Sequence, residues 1–271
     1  MEKKVKAKLP YFILAVLALF FCWLFCIRNG VFGSRVDWIS QHSVLPEYFR
    51  QLFYDTGQFF PEFAANIGGG QNIYNFSYYG LYSPVVWISY LFPGVEMGTY
   101  IMAAMMIHLV IALLLFYRWL RHRGISHHIS FFVSVLFLLS GPMIYHSYNQ
   151  IMFVNYMPFL CMALIGVDRY FEKRKAGIYT LSVWTMILTS FYFSIGGMLV
   201  LVIYGISRYV ERKEISQERI RVRTFLWDGI QFLFPMLIAV LMSAVLLVPT
   251  ACVLMNGRTG GTPVSFWKLF I

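Results

Sequence analysis

The chain is poor in charge. Only 13% of its 271 residues are Asp, Glu, Lys or Arg, against roughly 25% in soluble domains, which excludes an ordinary water-covered surface. Cysteine is also scarce and unpatterned. Cys22, Cys26, Cys161 and Cys252 form no CxxC pair, lack a neighbouring metal-type His spacing and fall in or beside apolar runs, which speaks against a disulfide framework or a zinc site. The longest polar stretch holds no DxD and no His/carboxylate cluster, so no metal is indicated and the cofactor is unknown.

What the chain has instead is 59% apolar and 19% aromatic residues. About 20 apolar residues at 1.5 Å each cross the hydrocarbon core, and several windows reach that length. The formal charge of +10 does not point to nucleic acid, because the basic residues lie in short clusters flanking apolar runs, as membrane topology requires.

In chain order, Lys3, Lys4, Lys6 and Lys8 precede an apolar run from Pro10 to Ile27. This run ends in Phe20-Phe21-Cys22-Trp23-Leu24-Phe25-Cys26, too bulky for a signal-peptide cleavage point. It reads as an uncleaved first helix with a cytoplasmic N-terminus. A loop from Arg28 to Pro93 follows. Further helices are expected at about Met97–Trp119, Ile129–Tyr145 and Gln150–Val167, the last two joined by a polar turn, His146-Ser147-Tyr148-Asn149. Ala176–Tyr209 is too long for one span and divides in two at a break within Ser190–Gly197. A seventh helix covers about Thr224–Thr250. Of the 22 Lys and Arg, only Arg28, Arg35, Arg50, Arg258 and Lys268 fall on the loop side, so the positive-inside rule places the loop outside the cell membrane. The expected fold is all-α: a single polytopic transmembrane domain, residues 1–271, of about seven helices. The closing run Ser265-Phe266-Trp267-Lys268-Leu269-Phe270-Ile271 reads as the opening of a further element, as in a truncated or split reading frame.

The loop is where aqueous chemistry has room. Val44, Leu45, Tyr48, Phe49, Leu52 and Phe53 recur at helical spacing opposite Glu47, Arg50, Gln51 and Asp55, with Ser43 as cap, Pro46 in the first turn and Gly57 at the end. This is an amphipathic helix suited to the membrane interface. Before it, Asp37 and Gln41 share one side if their segment is helical. Asp37 has two readings, a general base at the outer membrane surface and a solvated carboxylate at a helix start. Arg50 is a cation for a phosphate or the partner of Glu47. Gly68-Gly69-Gly70 is a phosphate nest or a turn. Tyr74, Tyr78, Tyr79 and Tyr82 stack on sugars or anchor at the interface. His146 and Asn149 line the outer end of two helices and close over Asp37, or form an ordinary turn. Arg258 is a second external cation, and His122, His127 and His128 belong to a basic flank.

The series Asp37…Gln41, Gly57…Phe60-Pro61, Gly68-Gly69-Gly70, Tyr78-Tyr79-Gly80-Leu81-Tyr82-Ser83-Pro84 and Leu91-Phe92-Pro93 resembles the first external loop of the bacterial YfhO family. Downstream, His146, Asn155-Tyr156-Met157-Pro158, Asp168-Arg169-Tyr170, Phe191-Tyr192-Phe193 and Val248-Pro249…Gly257-Arg258 are similar to later landmarks, so the resemblance covers almost the whole chain. It implies a GT-C-like membrane glycosyltransferase that takes a sugar from a polyprenyl-phosphate carrier to a surface polymer such as lipoteichoic acid, with Asp37 as the catalytic carboxylate. Gln41, Arg50, His146, Asn149 and Arg258 are then the candidates for substrate binding. The competing classes are an envelope-polymer transporter or assembly partner and an inactive remnant. A transporter is expected to carry ionisable groups or broken helices at mid-membrane depth. The assigned spans offer only His108, and Asp228 near a cytoplasmic end.

Overall fold

The computed structural model describes the backbone of residues 2–29, 33–34 and 37–255. Arg258 and the run Ser265–Ile271 lie outside the described residues. Eleven helices are described: α1 Glu2–Asn29, α2 Val44–Thr56, α3 Pro84–Ser89, α4 Met97–His122, α5 His127–Leu138, α6 Gly141–Asn149, α7 Ile151–Lys173, α8 Gly177–Thr189, α9 Phe191–Ile215, α10 Val222–Met242 and α11 Ala244–Met255. A π-helix, Trp38–His42, precedes α2. Two short strands, β1 Phe63–Ala64 and β2 Gln71–Asn72, lead into a 3-10 helix, Ile73–Tyr79.

The chain is an all-α polytopic membrane protein, with fewer full-length spans than its hydropathy suggests. Five helices, α1, α4, α7, α9 and α10, are long and apolar enough to cross, and α5 with α6 makes a sixth when the bent pair counts as one span. The expected helix bounds are corrected at three places. The third expected helix breaks at Ser140-Gly141-Pro142, where α5 and α6 meet at 43°; proline cannot donate to the preceding turn. The turn expected at 146–149 is instead the last turn of α6, and the chain reverses at Gln150 alone. The seventh expected helix ends at Ser243, whose hydroxyl donates back to the Ala239 carbonyl at 2.9 Å, and resumes as α11, 12 residues long. Twelve or 13 helical residues cover only about 20 Å, short of a hydrocarbon core of roughly 30 Å, so α8 and α11 are each shorter than a full span. The expected break in Ala176–Tyr209 is present, at Ser190, whose hydroxyl accepts from the Phe193 amide and starts α9.

α7 is the hub, with 83% of its most apolar stretch buried. It packs on α4, α8 and α9, and a continuous apolar core runs through Leu109, Leu113, Val154, Val167, Val183 and Leu201. Gly166 permits the tight α7–α8 approach, because a side chain there would meet the Tyr179 backbone at 2.7 Å. At one end of the bundle the loop forms its own smaller core from Leu45, Phe49, Ile73, Tyr74, Leu81 and Tyr82, closed by Leu188 of α8 and Leu246 of α11. The opposite end carries the basic residues. There Asp168, wholly buried on α7, accepts from Tyr204 at 2.6 Å and lies 2.7 Å from Arg208 and 3.9 Å from Arg123. Both arginines also reach Glu211, so one carboxylate fastens α4 and α9 to α7.

Candidate functional site

The site is built around a change of helical register. Asp37 precedes the π-helix without capping it through its side chain, and the Ser43 amide bonds to the Trp38 carbonyl at 3.0 Å, five residues back. In that register the residue five positions on returns beneath the first, so His42 as well as Gln41 comes round to Asp37. The expected Ser43 cap is absent. Ser43 is itself helical, and its hydroxyl donates to the Ile39 carbonyl at 2.9 Å, so the π-helix runs on into α2. Trp38 is buried against Gly33, where any side chain would meet the indole at 2.4 Å. The Ser34 amide donates to the Tyr148 carbonyl at 2.9 Å, which ties the start of the loop to α6.

Around Asp37 the wall is aromatic. Asp37 is half-buried. Tyr79 donates its hydroxyl to Oε1 of Gln41, leaving the Gln41 amide nitrogen as the donor on that side chain. The His42 ring is 2% exposed. Burial pushes its pKa down to about 4, with the Asp37 charge opposing that shift, so His42 is neutral at pH 7. Tyr78 is pushed up to about 12, by burial first and then by Tyr79, Tyr192 and Asp37. The wall continues from Tyr78 to Tyr192 at 5.9 Å between ring centroids, then to Phe193 at 5.2 Å and from Phe193 to His146 at 5.4 Å. The structure thus brings Asp37 and Gln41 together and links His146 to them through rings. Tyr79 was expected only as a stacking or anchoring ring, and the spacing gave no sign of its bond to Gln41 or of His42 or Tyr192, since these join the site only through the π register or through packing between distant elements.

The other candidates stand elsewhere. Arg50, expected on the polar face of α2, is 2% exposed; it pairs with Glu47 and donates to the carbonyls of Phe92 at 3.1 Å and Val95 at 2.9 Å. It clamps the end of the loop onto α2, so its forked donors serve backbone there. The Asn149 amide donates to the Tyr145 carbonyl one turn back, at 2.9 Å. Gly68, Gly69 and Gly70 all have positive φ and form the turn between β1 and β2, closed by Gly70 N–H to the Ile67 carbonyl at 3.0 Å. Tyr74 and Tyr82 are neither anchors nor platforms. They are buried in the loop core, with their hydroxyls bonded at 2.7 Å. Among the described residues, no three His, Cys, Asp or Glu side chains come together as a metal site.

The fold and this loop-side cluster define a polytopic membrane protein with a folded polar cap. The family described as bacterial membrane protein YfhO matches residues 11–270, and the chain belongs to that family. No curated protein and no solved structure matches it.

Proposed function

We propose that the protein is a membrane glycosyltransferase of GT-C type, acting on the external face of the bacterial membrane. It moves a sugar from a polyprenyl-phosphate carrier to a surface polymer such as lipoteichoic acid. The observation that carries this reading is the half-buried Asp37 carboxylate at the head of the π-helix, set against neutral His42, Tyr78 and the Tyr79-held Gln41. Asp37 takes the proton of the acceptor hydroxyl as its oxygen bonds to the anomeric carbon. The bond from that carbon to the carrier phosphate breaks, the phosphate leaves with the electron pair, and the configuration inverts. The Gln41 amide donates to the acceptor, and the rings of Tyr78 and Tyr192 give the sugar an apolar face. The loop faces outward by the charge asymmetry of the spans.

The test is Asp37→Asn in the full-length protein at normal expression, followed by sugar analysis of the surface polymers. Loss of one sugar from an otherwise intact polymer is expected, whereas unchanged glycosylation refutes the role of Asp37. The breaks at Ser140, Ser190 and Ser243 favour a second reading as a transporter or assembly partner. In that case the amount of surface polymer falls and its sugar content per repeat stays constant.

A further inference from the structure

At the basic end of the bundle, two adjoining spaces lie where α7, α9 and α10 converge. One is a polar cavity of about 180 Å³ whose charged lining is Arg174, Arg212, Lys213, Glu218 and Asp228. The other is a groove of about 250 Å³ between α9 and α10, lined by apolar side chains including Val202, Ile206, Phe225, Ile230 and Leu233. Phe171, Tyr209 and Asp228 line both, so the groove runs into the cavity. Both α9 and α10 are membrane-spanning helices. Ile206 is 46% and Ile230 60% exposed, so the groove is open to the hydrocarbon.

The charges of the cavity are unevenly used. Lys213 is bonded to Glu218 at 2.5 Å. Among the described residues neither Arg174 nor Arg212 forms a direct ion pair, although the Arg212 charge adds to that of Lys213 in holding the Glu218 carboxyl below its usual range; Arg174 lies over the Tyr170 ring, 5.6 Å from its centroid. Three cations face two carboxylates, which leaves one net positive charge. A monoanionic phosphodiester cancels that charge. A phosphatidylethanolamine headgroup, which brings its own ammonium, leaves it standing.

We propose that this composite space binds one anionic phospholipid, with its phosphodiester on Arg174 and Arg212 and an acyl chain along the groove between α9 and α10. Guanidinium groups suit phosphate oxygens because their donors lie in one plane and engage two oxygens at once. The groove supplies apolar surface that the chain removes from other contacts, and a basic juxtamembrane segment draws anionic lipid to this leaflet. The site lies at the end of the bundle opposite Asp37, so it does not depend on the transferase reading.

The experiment is native mass spectrometry of the purified full-length protein, offered phosphatidylglycerol and phosphatidylethanolamine with identical acyl chains in equal amounts. One phosphatidylglycerol is expected to be retained, with a preference of roughly tenfold, the scale of a charge-assisted hydrogen bond. Arg212→Gln, at an exposed position with no direct ion pair, is expected to abolish the preference. Ile230→Trp fills the groove and leaves the cavity intact, and is expected to release the lipid. Equal retention of the two lipids, or undiminished phosphatidylglycerol in either folded variant, overturns the proposal. Thermal stabilisation by inorganic phosphate as large as that by phosphatidylglycerol also overturns it, by making the cavity a site for free anions.

Discussion

The ring of Tyr79 meets the ring of His42 edge-on, with centroids 5.5 Å apart and planes at 62°, while the Tyr79 hydroxyl bonds to Gln41 in the same helical turn. One side chain of the 3-10 helix thus holds two neighbours of Asp37, and the site depends on the loop core that positions Tyr79. Replacing Tyr79 by Phe removes one hydrogen bond, and a loss of about 1 kcal/mol in stability is expected. On the transferase reading, activity in the Phe variant falls more than this small destabilisation accounts for. Comparing melting temperature and transfer rate in the same preparation separates the two effects.

His42 makes stability depend on acid. Its folded pKa, about 4 against an ordinary 6.5, means that between these values the unfolded chain binds the proton and the folded chain does not. Stability is therefore unaffected by this group above pH 6.5, falls as the pH drops from 6.5 towards 4, and levels off below. The full loss is about 3 kcal/mol. Melting curves from pH 7.5 to 3.5 should show this limb, and His42→Gln should flatten it.

The Asp37 charge acts on the His42 equilibrium. Being negative, it favours the protonated His42 ring, so Asp37→Asn lowers the His42 pKa further. The acid limb of the Asn variant should extend to lower pH and become deeper, which the same melting series measures. An unchanged limb means that the two side chains do not interact.

Arg50 is tied to Glu47 and two backbone carbonyls at 2% exposure. Arg50→Met leaves two carbonyls without this donor and the Glu47 carboxylate with Gln51 alone, and a loss of about 3 kcal/mol is expected. Arg50→Lys recovers only part of this, since an ammonium lacks the planar fork that reaches three acceptors. Thermal unfolding of the two variants in one detergent gives the comparison.

At the basic end, Asp168→Asn leaves Arg123 and Arg208 without their shared buried anion, and a loss of about 3 kcal/mol is expected. Adding Arg208→Met removes one of the two cations that then share Glu211 alone and should restore part of that loss. A double variant no more stable than Asp168→Asn alone would show that Arg208 is not coupled to Asp168.

Much of the architecture was legible because the bilayer makes simple demands. A span needs length and apolarity, and its flanking charges carry the topology. The first, second and fourth expected helices therefore appear as α1, α4 and α7, and the break at Ser190 was readable from excess length. The breaks at Ser140 and Ser243 were missed, because hydropathy averages across a bend and records no direction. The amphipathic pattern located α2 correctly but put Arg50 on the wrong side of it. Periodicity sees one helix, whereas the carbonyls of Phe92 and Val95 that accept from Arg50 arrive from more than 40 positions away.

By itself, then, the sequence determined a helical membrane protein with one substantial polar cap, a basic opposite end and Asp37 as the carboxylate to watch, since these follow from composition, local spacing and the resemblance carried by the loop. The tertiary structure alone decided what surrounds Asp37. The π register that turns His42 towards it, the Tyr79 contact from the 3-10 helix and the Tyr192 ring from α9 are products of packing between distant segments. Local propensity holds no record of that packing, because the energy that selects it is gained only when those segments meet.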